Sequence, residues 1–348
     1  MMQTTPLPST VSVVVPCRNE ERFIEDTLKN IVSQDYPVEF LEVLLIDGMS
    51  TDGTRGIIKT YCQRYEHIRS KDNSGQKISF ALNIGIRAST SEYIVRMDVH
   101  SSYPTNYISR LINAHQELQA DNVGGVWLTR PSSNTIQATS IALALGSKFG
   151  VGGADYRVGV RESKQVDTVP FGCYKREIFE QIGYFDESLN RNQDDEFNGR
   201  LIKNGGVIYL IPEIKITYYP RETLVKLWRM FYEYGYEKPF VNKKLGKPFT
   251  LRQLVPPLFI LALVFSLILA AWDLEYISFF IVVATTYMLV NFATSLYTSL
   301  KNPFSSVIML PLAFWIIHTS YGISYLKGCI DYLILGRQSG VNESAHSR

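Results

Sequence analysis

The sequence predicts an α/β protein with a mostly parallel central sheet, followed by a basic amphipathic segment and a transmembrane helical region. Three observations carry this expectation. Short β-branched runs alternate with segments of helical period, polar loops follow the carboxyl ends of those runs, and three apolar segments of bilayer length lie in the final third of the chain.

The first run, "VSVVV" from Val11 to Val15, is too short for a helix and apolar enough to be a strand buried on both faces. After "PCRNE", Phe23, Ile24, Thr27, Leu28, Ile31 and Val32 fall at helical spacing, and "LEVLLIDG" supplies a second strand ending at Asp47. The pattern then repeats: a helix around Thr54 to Tyr65, a strand near His67 to Ser70, a helix across Ile78 to Ala88, and the strand "YIVRMD" ending at Asp98. Such alternation implies a sheet covered on both faces, with ligands bound at the carboxyl ends of its strands. There "PCRNE", "DGMSTDGT" and "DVH" should converge. No GxGxxG follows the first strand and no GxxxxGK[ST] occurs, so dinucleotide and P-loop readings lose their main support. Between Gly150 and Gly172 lies a glycine-rich, charged stretch of the kind that forms a lid or binding loop.

Beyond Arg221 the composition changes. Arg221 to Arg252 holds eight Lys/Arg and three Glu, and Leu224, Leu227, Trp228, Phe231 and Tyr232 share a helical face suited to a membrane interface. Leu254 to Trp272, Tyr276 to Thr298 and Val307 to Leu326 each approach the ~20 residues that a bilayer span needs. The expected organisation is therefore an α/β unit over 1–220, an interfacial segment over 221–252, three membrane helices over 253–328 and a tail over 329–348. The basic stretch places its own side in the cytoplasm, and an odd number of spans would put the C-terminus outside. "MMQTTPLPST" lacks the pattern of a secretory signal, so the first unit is expected in the cytoplasm and the whole chain in the inner or plasma membrane.

Charge and cysteine content narrow the function. Lys+Arg 35 against Asp+Glu 33 gives a formal charge of +2, which does not suit a nucleic-acid binder. Cys17, Cys62, Cys173 and Cys329 form no CxxC pair, which argues against a zinc site and a disulfide framework.

The acid, spacer and histidine of Asp98 and His100 can share a divalent ion, and a carboxylate with an imidazole suits Mn²⁺ at least as well as Mg²⁺. A strand-terminating acid beside an unrelated surface histidine gives the same text. Asp47 can accept a hydrogen bond from a base or ribose, whereas Ser50 and Asp52 suit helix capping as well as ligand contact. Pro16, Arg18, Asn19 and Glu20 sit where the first strand opens, and Lys77 is placed to meet a phosphate. Asp194, Asp195 and Glu196 form an acidic cluster whose members can raise one another's pKa.

In order, "VVVPCRNEE", "LLIDGMSTDGT", "NSGQKISFALNIGIRAS", "YIVRMDVH", "VPFGCYKREIFEQIGYFDE" and "NQDDEFNGRL" resemble the family 2 glycosyltransferases over roughly Ser12 to Pro220. That resemblance implies a GT-A nucleotide-sugar-binding domain. Carried over, Asp47 contacts the base, Asp98 and His100 are the metal motif, and Asp194 is the catalytic base. Pro16, Arg18, Asn19, Glu20, Ser50, Asp52, Lys77 and Asp98 would line the nucleotide sugar, and Gln193, Asp195, Glu196 and Arg200 would serve the acceptor or assist. Two departures stand out: "DVH" replaces D-x-D and "QD" replaces E-D. The D-x-H form looks like a membrane-anchored subgroup related to succinoglycan-type exopolysaccharide glucosyltransferases.

The implied function is inverting, metal-dependent transfer of a sugar from a UDP-sugar to a lipid-linked saccharide. Sugar transfer to polyprenyl phosphate is the rival within the enzymes; a non-catalytic nucleotide-sugar-binding membrane subunit is the rival outside them. A processive synthase is disfavoured because Q-x-x-R-W is absent; the nearest text is "KLWRMFYEYG".

Overall fold

The computed structural model describes residues 8–248, 250–302 and 307–339, and the chain divides into two compact units. One comprises the residues up to Trp127 together with Gly159–Tyr218; the other comprises Leu128–Val158 and the chain from Tyr219 onward.

The first unit opens with β1 (Val11–Cys17), α1 (Ile24–Val32), β2 (Leu41–Asp47), α2 (Thr54–Arg64), β3 (Ile68–Asp72), α3 (Ile78–Ala88) and β4 (Tyr93–Arg96). These are the alternating elements that periodicity predicts. Every residue of β1 is buried, as a strand covered on both faces requires. Helix α3 packs closely on it: a Cβ at Gly85 would collide with the methyls of Val14. The unit continues with β5 (Ser101–Ser102), α4 (Tyr107–Leu118) and β6 (Asn122–Thr129). The excursion that follows carries α5 (Ile136–Leu145), α6 (Lys148–Val151) and α7 (Asp155–Val158). The first unit then resumes with β7 (Lys164–Gln165), β8 (Cys173–Lys175), α8 (Glu177–Ile182), α9 (Gln193–Lys203) and β9 (Ile208–Tyr218).

The nine strands of the described residues join one sheet in the order β3-β2-β1-β4-β8-β6-β9-β5, with β7 on β9. The β3-β2-β1-β4 block is parallel, while β8 pairs antiparallel with both β4 and β6. Register positions the site. Cys17 lies beside Asp47, Asp47 beside Asp72, and Val14 beside Arg96, so the parallel block delivers these groups to one end.

In the second unit follow α10 (Leu224–Leu245), α11 (Val255–Trp272), α12 (Ile277–Lys301) and α13 (Met309–Gly328), and then a π-helical turn over Cys329–Ile334. Here the structure departs from the sequence-based expectation in four places. Leu227 and Met230 of α10 are buried with Ile141, Ala144 and Leu145 of α5 and with Leu310, Ala313, Phe314 and Ile317 of α13. The apolar face of α10 thus covers a protein core, and Leu224 and Phe231 pack against the same core. Trp228, 37% exposed, turns outward. The residues Leu128–Val158, expected within the 1–220 unit, join the C-terminal unit through that core. Of the three expected spans, two helical stretches, Leu251–Trp272 and Leu274–Lys301, are long and apolar enough to cross a membrane. The third corresponds to α13, whose Leu310, Ala313, Phe314 and Ile317 lie in that core while Leu312 and Ile323 stay exposed. Finally, the expected tail begins as ordered structure: Asp331 accepts from Tyr236 at 2.8 Å and from Arg337 at 2.7 Å. Residues 340–348 of that tail, like residues 1–7 of the N-terminal stretch, lie outside the described residues.

Candidate active site

The loops at the carboxyl ends of the parallel strands are held by side chains that bond to one another. Asn19, at φ 53°, accepts from the Thr51 N–H at 2.9 Å through Oδ1, and its own N–H donates to Ser50 Oγ at 2.8 Å. Asp52 caps its neighbours, accepting from the Glu21 and Thr54 N–H groups at 3.2 and 3.1 Å. Ser50 likewise donates to Asp47, from Oγ at 2.5 Å and from its N–H at 3.1 Å. Asp52 thus takes a turn role at the start of α2, whereas Ser50 joins Asp47 to Asn19 and does not cap that helix. Pro16 pairs within β1 opposite Ile46, and a Cβ on Gly48 would come 3.0 Å from Arg18 Cβ, so Arg18 and Gly48 pack tightly.

Asp47 is nearly inaccessible, yet a cation stands beside it. Arg55 Nε lies 3.2 Å from Asp47 Oδ2, and Arg55 Nη2 also donates to Asp72, so this arginine joins the ends of β2 and β3. The sequence reading passed over Arg55, although its place in the first turn of α2, just after "DGMSTDGT", marks it.

The structure separates Asp98 and His100 by partner. Arg96 donates from Nε to Asp98 Oδ1 and from Nη2 to Asp98 Oδ2, both at 2.8 Å. The Asp98 N–H donates to the Tyr103 hydroxyl at 2.7 Å. His100 Nε2 is 3.1 Å from Glu20 Oε2, and the ring meets Phe23 edge-on at 4.8 Å. Glu20, expected to line the nucleotide, is instead a buried partner of this histidine.

Asp194 comes to the same place from α9, since Arg96 Nη1 donates to its Oδ1 at 2.6 Å. Arg96 is 5% exposed and went unnoticed in the sequence reading. The signal was a charged residue inside the apolar run "YIVRMD". Burial would weaken its charge, but Asp194 and Asp98 outweigh that and raise its pKa well above the usual arginine value. Burial raises the Asp194 pKa; Arg96 opposes that shift, while Asp98 and Asp195 reinforce it. Asp194 keeps about a quarter of its side chain exposed, enough to meet a ligand.

Arg200 and Glu196 are bonded to each other on α9. Arg200 makes a two-pronged pair with Glu196, at 3.0 and 2.9 Å, and donates to the carbonyls of Ile182, Gly183 and Tyr184. Glu196 is buried, and Arg200 ties α9 to the end of α8. Lys77 reaches the Glu187 carbonyl at 3.4 Å. Gln193 is buried with its Oε1 unbonded, and Asp195 is half-buried on the first turn of α9. Among the described residues, five of the six non-glycine residues at positive φ, namely Asn19, Met49, Gln76, Phe171 and Asn192, lie in loops that flank these candidates. Backbone held in that sparsely populated region gathers at functional sites.

The donor set fits a cation shared with a substrate. Among the described residues no three His, Cys, Asp or Glu side chains come together as a closed metal cage. A cation bound to phosphates, however, needs only one or two protein ligands. Asp98 retains lone pairs beyond those given to Arg96, and His100 has one nitrogen on Glu20 and no hydrogen bond on Nδ1. A ligating histidine characteristically has its second nitrogen bonded to a carboxylate.

A parallel block whose strand ends carry acids, extended by antiparallel strands that bring a further acid alongside, is the architecture of the GT-A fold. The glycosyl transferase family 2 model matches residues 12–183. The succinoglycan biosynthesis protein ExoA of Rhizobium meliloti is 32% identical over 237 residues, spanning 67% of this chain and 71% of that one. The chain therefore belongs to glycosyltransferase family 2. A second relative, the dolichyl N-acetyl-α-D-glucosaminyl phosphate 3-β-D-2,3-diacetamido-2,3-dideoxy-β-D-glucuronosyltransferase of Methanococcus voltae, is 28% identical over 328 residues, covering 92% of this chain and 97% of that one. Among solved structures, the mannosyltransferase PcManGT from Pyrobaculum calidifontis, in complex with GDP-Man and Mn²⁺, shares the fold. Its TM-score is 0.62 at 19% identity, covering 94% of this chain and 88% of that one.

Proposed function

We propose that this glycosyltransferase is an inverting enzyme that moves a sugar from a nucleoside diphosphate donor, read as a UDP-sugar, to a lipid-linked saccharide in exopolysaccharide or related glycan synthesis. The observation that carries the reading is the joining of Asp98 and Asp194 through Arg96, which sets an acid for the donor side beside one for the acceptor side.

Asp47 and Arg55 suit a keto base: the carboxylate accepts a ring N–H while the guanidinium donates to the adjacent carbonyl oxygen. Uracil offers that pair at N3–H and its adjacent carbonyl, and guanine offers it at N1–H and O6; cytosine and adenine offer the reverse. Asp194 then takes the proton of the acceptor hydroxyl as the oxygen forms its bond to the anomeric carbon. The bond from that carbon to the diphosphate oxygen breaks on the opposite face, the electron pair leaves with the nucleoside diphosphate, and configuration inverts. Mn²⁺ or Mg²⁺, when held by Asp98 and His100, supplies Lewis-acid stabilisation of charge on the departing diphosphate. Burial of Asp194 strengthens it as a base, because a raised pKa brings it closer to the working pH.

The acceptor reading draws support from the Methanococcus voltae relative, whose name describes a dolichyl-phosphate-linked sugar as acceptor. We place the catalytic unit on the cytoplasmic face and the two long apolar helices in the inner or plasma membrane. Two spans return the chain to its starting side, which agrees with the basic residues Lys327 and Arg337.

The test uses purified full-length protein, a panel of UDP-, GDP-, CDP- and ADP-sugars with Mn²⁺ or EDTA, and either polyprenyl phosphate or lipid-linked saccharide as acceptor. Mn²⁺-dependent release of UDP, accelerated by the lipid-linked saccharide, is expected. Acceleration by polyprenyl phosphate alone would move the acceptor to that class. Binding without release under every condition would leave a non-catalytic subunit.

A further inference from the structure

Arg96 is an expensive residue for its place. It ends a strand whose other positions are apolar, it is almost wholly buried, and its guanidinium rests over the Phe171 ring, Cζ 5.5 Å from the centroid. An apolar side chain there would spare the desolvation of three ions, and buried ion pairs often stabilise less than their apolar replacements. Stability does not account for it.

Geometry does. The guanidinium is a rigid planar fork, and here its donors are divided: Nε and Nη2 grip both oxygens of Asp98, and Nη1 holds Asp194. The two acids belong to the β4 end and to α9, almost a hundred residues apart in sequence. Without a cation between them they would repel one another and turn apart. The backbone also fixes the fork, because the Arg96 N–H donates to the Gly172 carbonyl at 3.0 Å, next to Phe171. Phe171 itself is held at φ 51°.

We propose that Arg96 is a positioning residue that registers Asp194 against Asp98, so that the base faces the anomeric carbon of a donor gripped on the Asp98 side. The inference rests on the proposed roles of those two acids. Lysine cannot reproduce it, since a single ammonium replaces neither the two-pronged grip nor the third donor direction.

The experiment is a double-mutant cycle on full-length protein in detergent, following UDP release from the donor chosen by the panel above, with UDP affinity measured by calorimetry in Mn²⁺ and in EDTA. Arg96→Lys keeps the charge and is expected to lower kcat about 10- to 100-fold and to weaken UDP binding in Mn²⁺ but not in EDTA. In the Asp194→Asn background the same change should lower kcat by a smaller factor than in the wild type, because only its effect on Asp98 remains. A full multiplicative loss in that background, or unchanged kcat in Arg96→Lys alone, would overturn the proposal. If Asp194→Asn retains turnover, the base assignment fails instead, and the two failures are thereby distinguished. Should Arg96→Lys not fold, Phe171→Leu removes the ring beneath the guanidinium and touches neither acid. It should lower kcat several-fold in the wild type and by a smaller factor in Asp194→Asn, and undiminished turnover would again overturn the proposal.

Discussion

His100 presents Nε2 to Glu20 Oε2 across 3.1 Å, and Glu20 is buried while the histidine ring keeps some exposure. The carboxylate orients the imidazole and leaves Nδ1 for a ligand. Replacing Glu20 with glutamine removes the charge but preserves a hydrogen-bonding side chain, so Glu20→Gln should weaken Mn²⁺ affinity about 10- to 100-fold. Titration of Mn²⁺ in the presence of UDP, by calorimetry or by electron paramagnetic resonance, reads this directly; an unaltered affinity would remove His100 from the metal side.

Asp98→Ala should abolish Mn²⁺-dependent UDP binding while leaving any metal-free binding in place. Arg96 keeps Asp194 as a partner in this variant, so the charge at β4 is not stranded. Equal UDP affinity of wild type and variant in Mn²⁺ would contradict the assignment.

Asp194→Asn should lower kcat by about 10² to 10⁴ with little change in donor affinity, and Asp195→Asn should do less. The pH dependence follows from the raised Asp194 pKa. The base must be unprotonated, so kcat/KM should fall with decreasing pH along a limb lying above the ordinary aspartate value of 3.8. For folding the sign is opposite. A folded-state pKa above the unfolded one gives stability that is full below the unfolded value and is lost as pH rises through the folded value. Asp194→Asn should remove this pH-dependent loss, which thermal denaturation at a series of pH values will measure.

Arg200→Ala should leave Glu196 buried without its counter-ion and strip a donor from three carbonyls of residues 182–184. We expect a loss of about 3–5 kcal/mol in stability, as for other broken buried pairs. Turnover of the fraction that remains folded should be near normal. Denaturant unfolding alongside activity separates the two effects, and a large fall in kcat at full folding would restore Arg200 to the acceptor site.

The two long apolar helices predict that alkaline carbonate will not extract the protein from membranes, whereas detergent will. A charge introduced on an exposed face of α12, as in Val282→Lys, should impair insertion. Phe314→Ala in α13 should instead destabilise the folded unit by about 3–5 kcal/mol, since this ring is fully buried among protein side chains.

The parallel half of the sheet was legible because its signals are local. Strands buried on both faces read as continuous apolar runs, and the intervening helices declare their period within a dozen residues. β8 was not legible: three residues, "CYK", become a central strand only because β4 and β6 offer edges on either side. Helix α5 escaped for a related reason, since an apolar run with almost no polar face shows no periodicity.

By itself, the sequence determined the parallel β-α-β core, the placing of Asp47 at the end of β2, the acidic start of α9 and the apolar character of the C-terminal helices, whereas Asp98, expected to end its strand, lies two residues beyond β4. These depend on residue type and spacing along the chain. Only the tertiary structure decided which charges face one another: that Arg96 spans Asp98 and Asp194, that Glu20 takes His100, and that Arg200 is spent on Glu196 and a turn. It also decided that α13, apolar enough to suggest a span, covers the protein's own core. The reason is the same in each case. An ion pair or a buried face is a property of two surfaces, and apolar composition records that a side chain will leave water without recording whether lipid or another helix receives it.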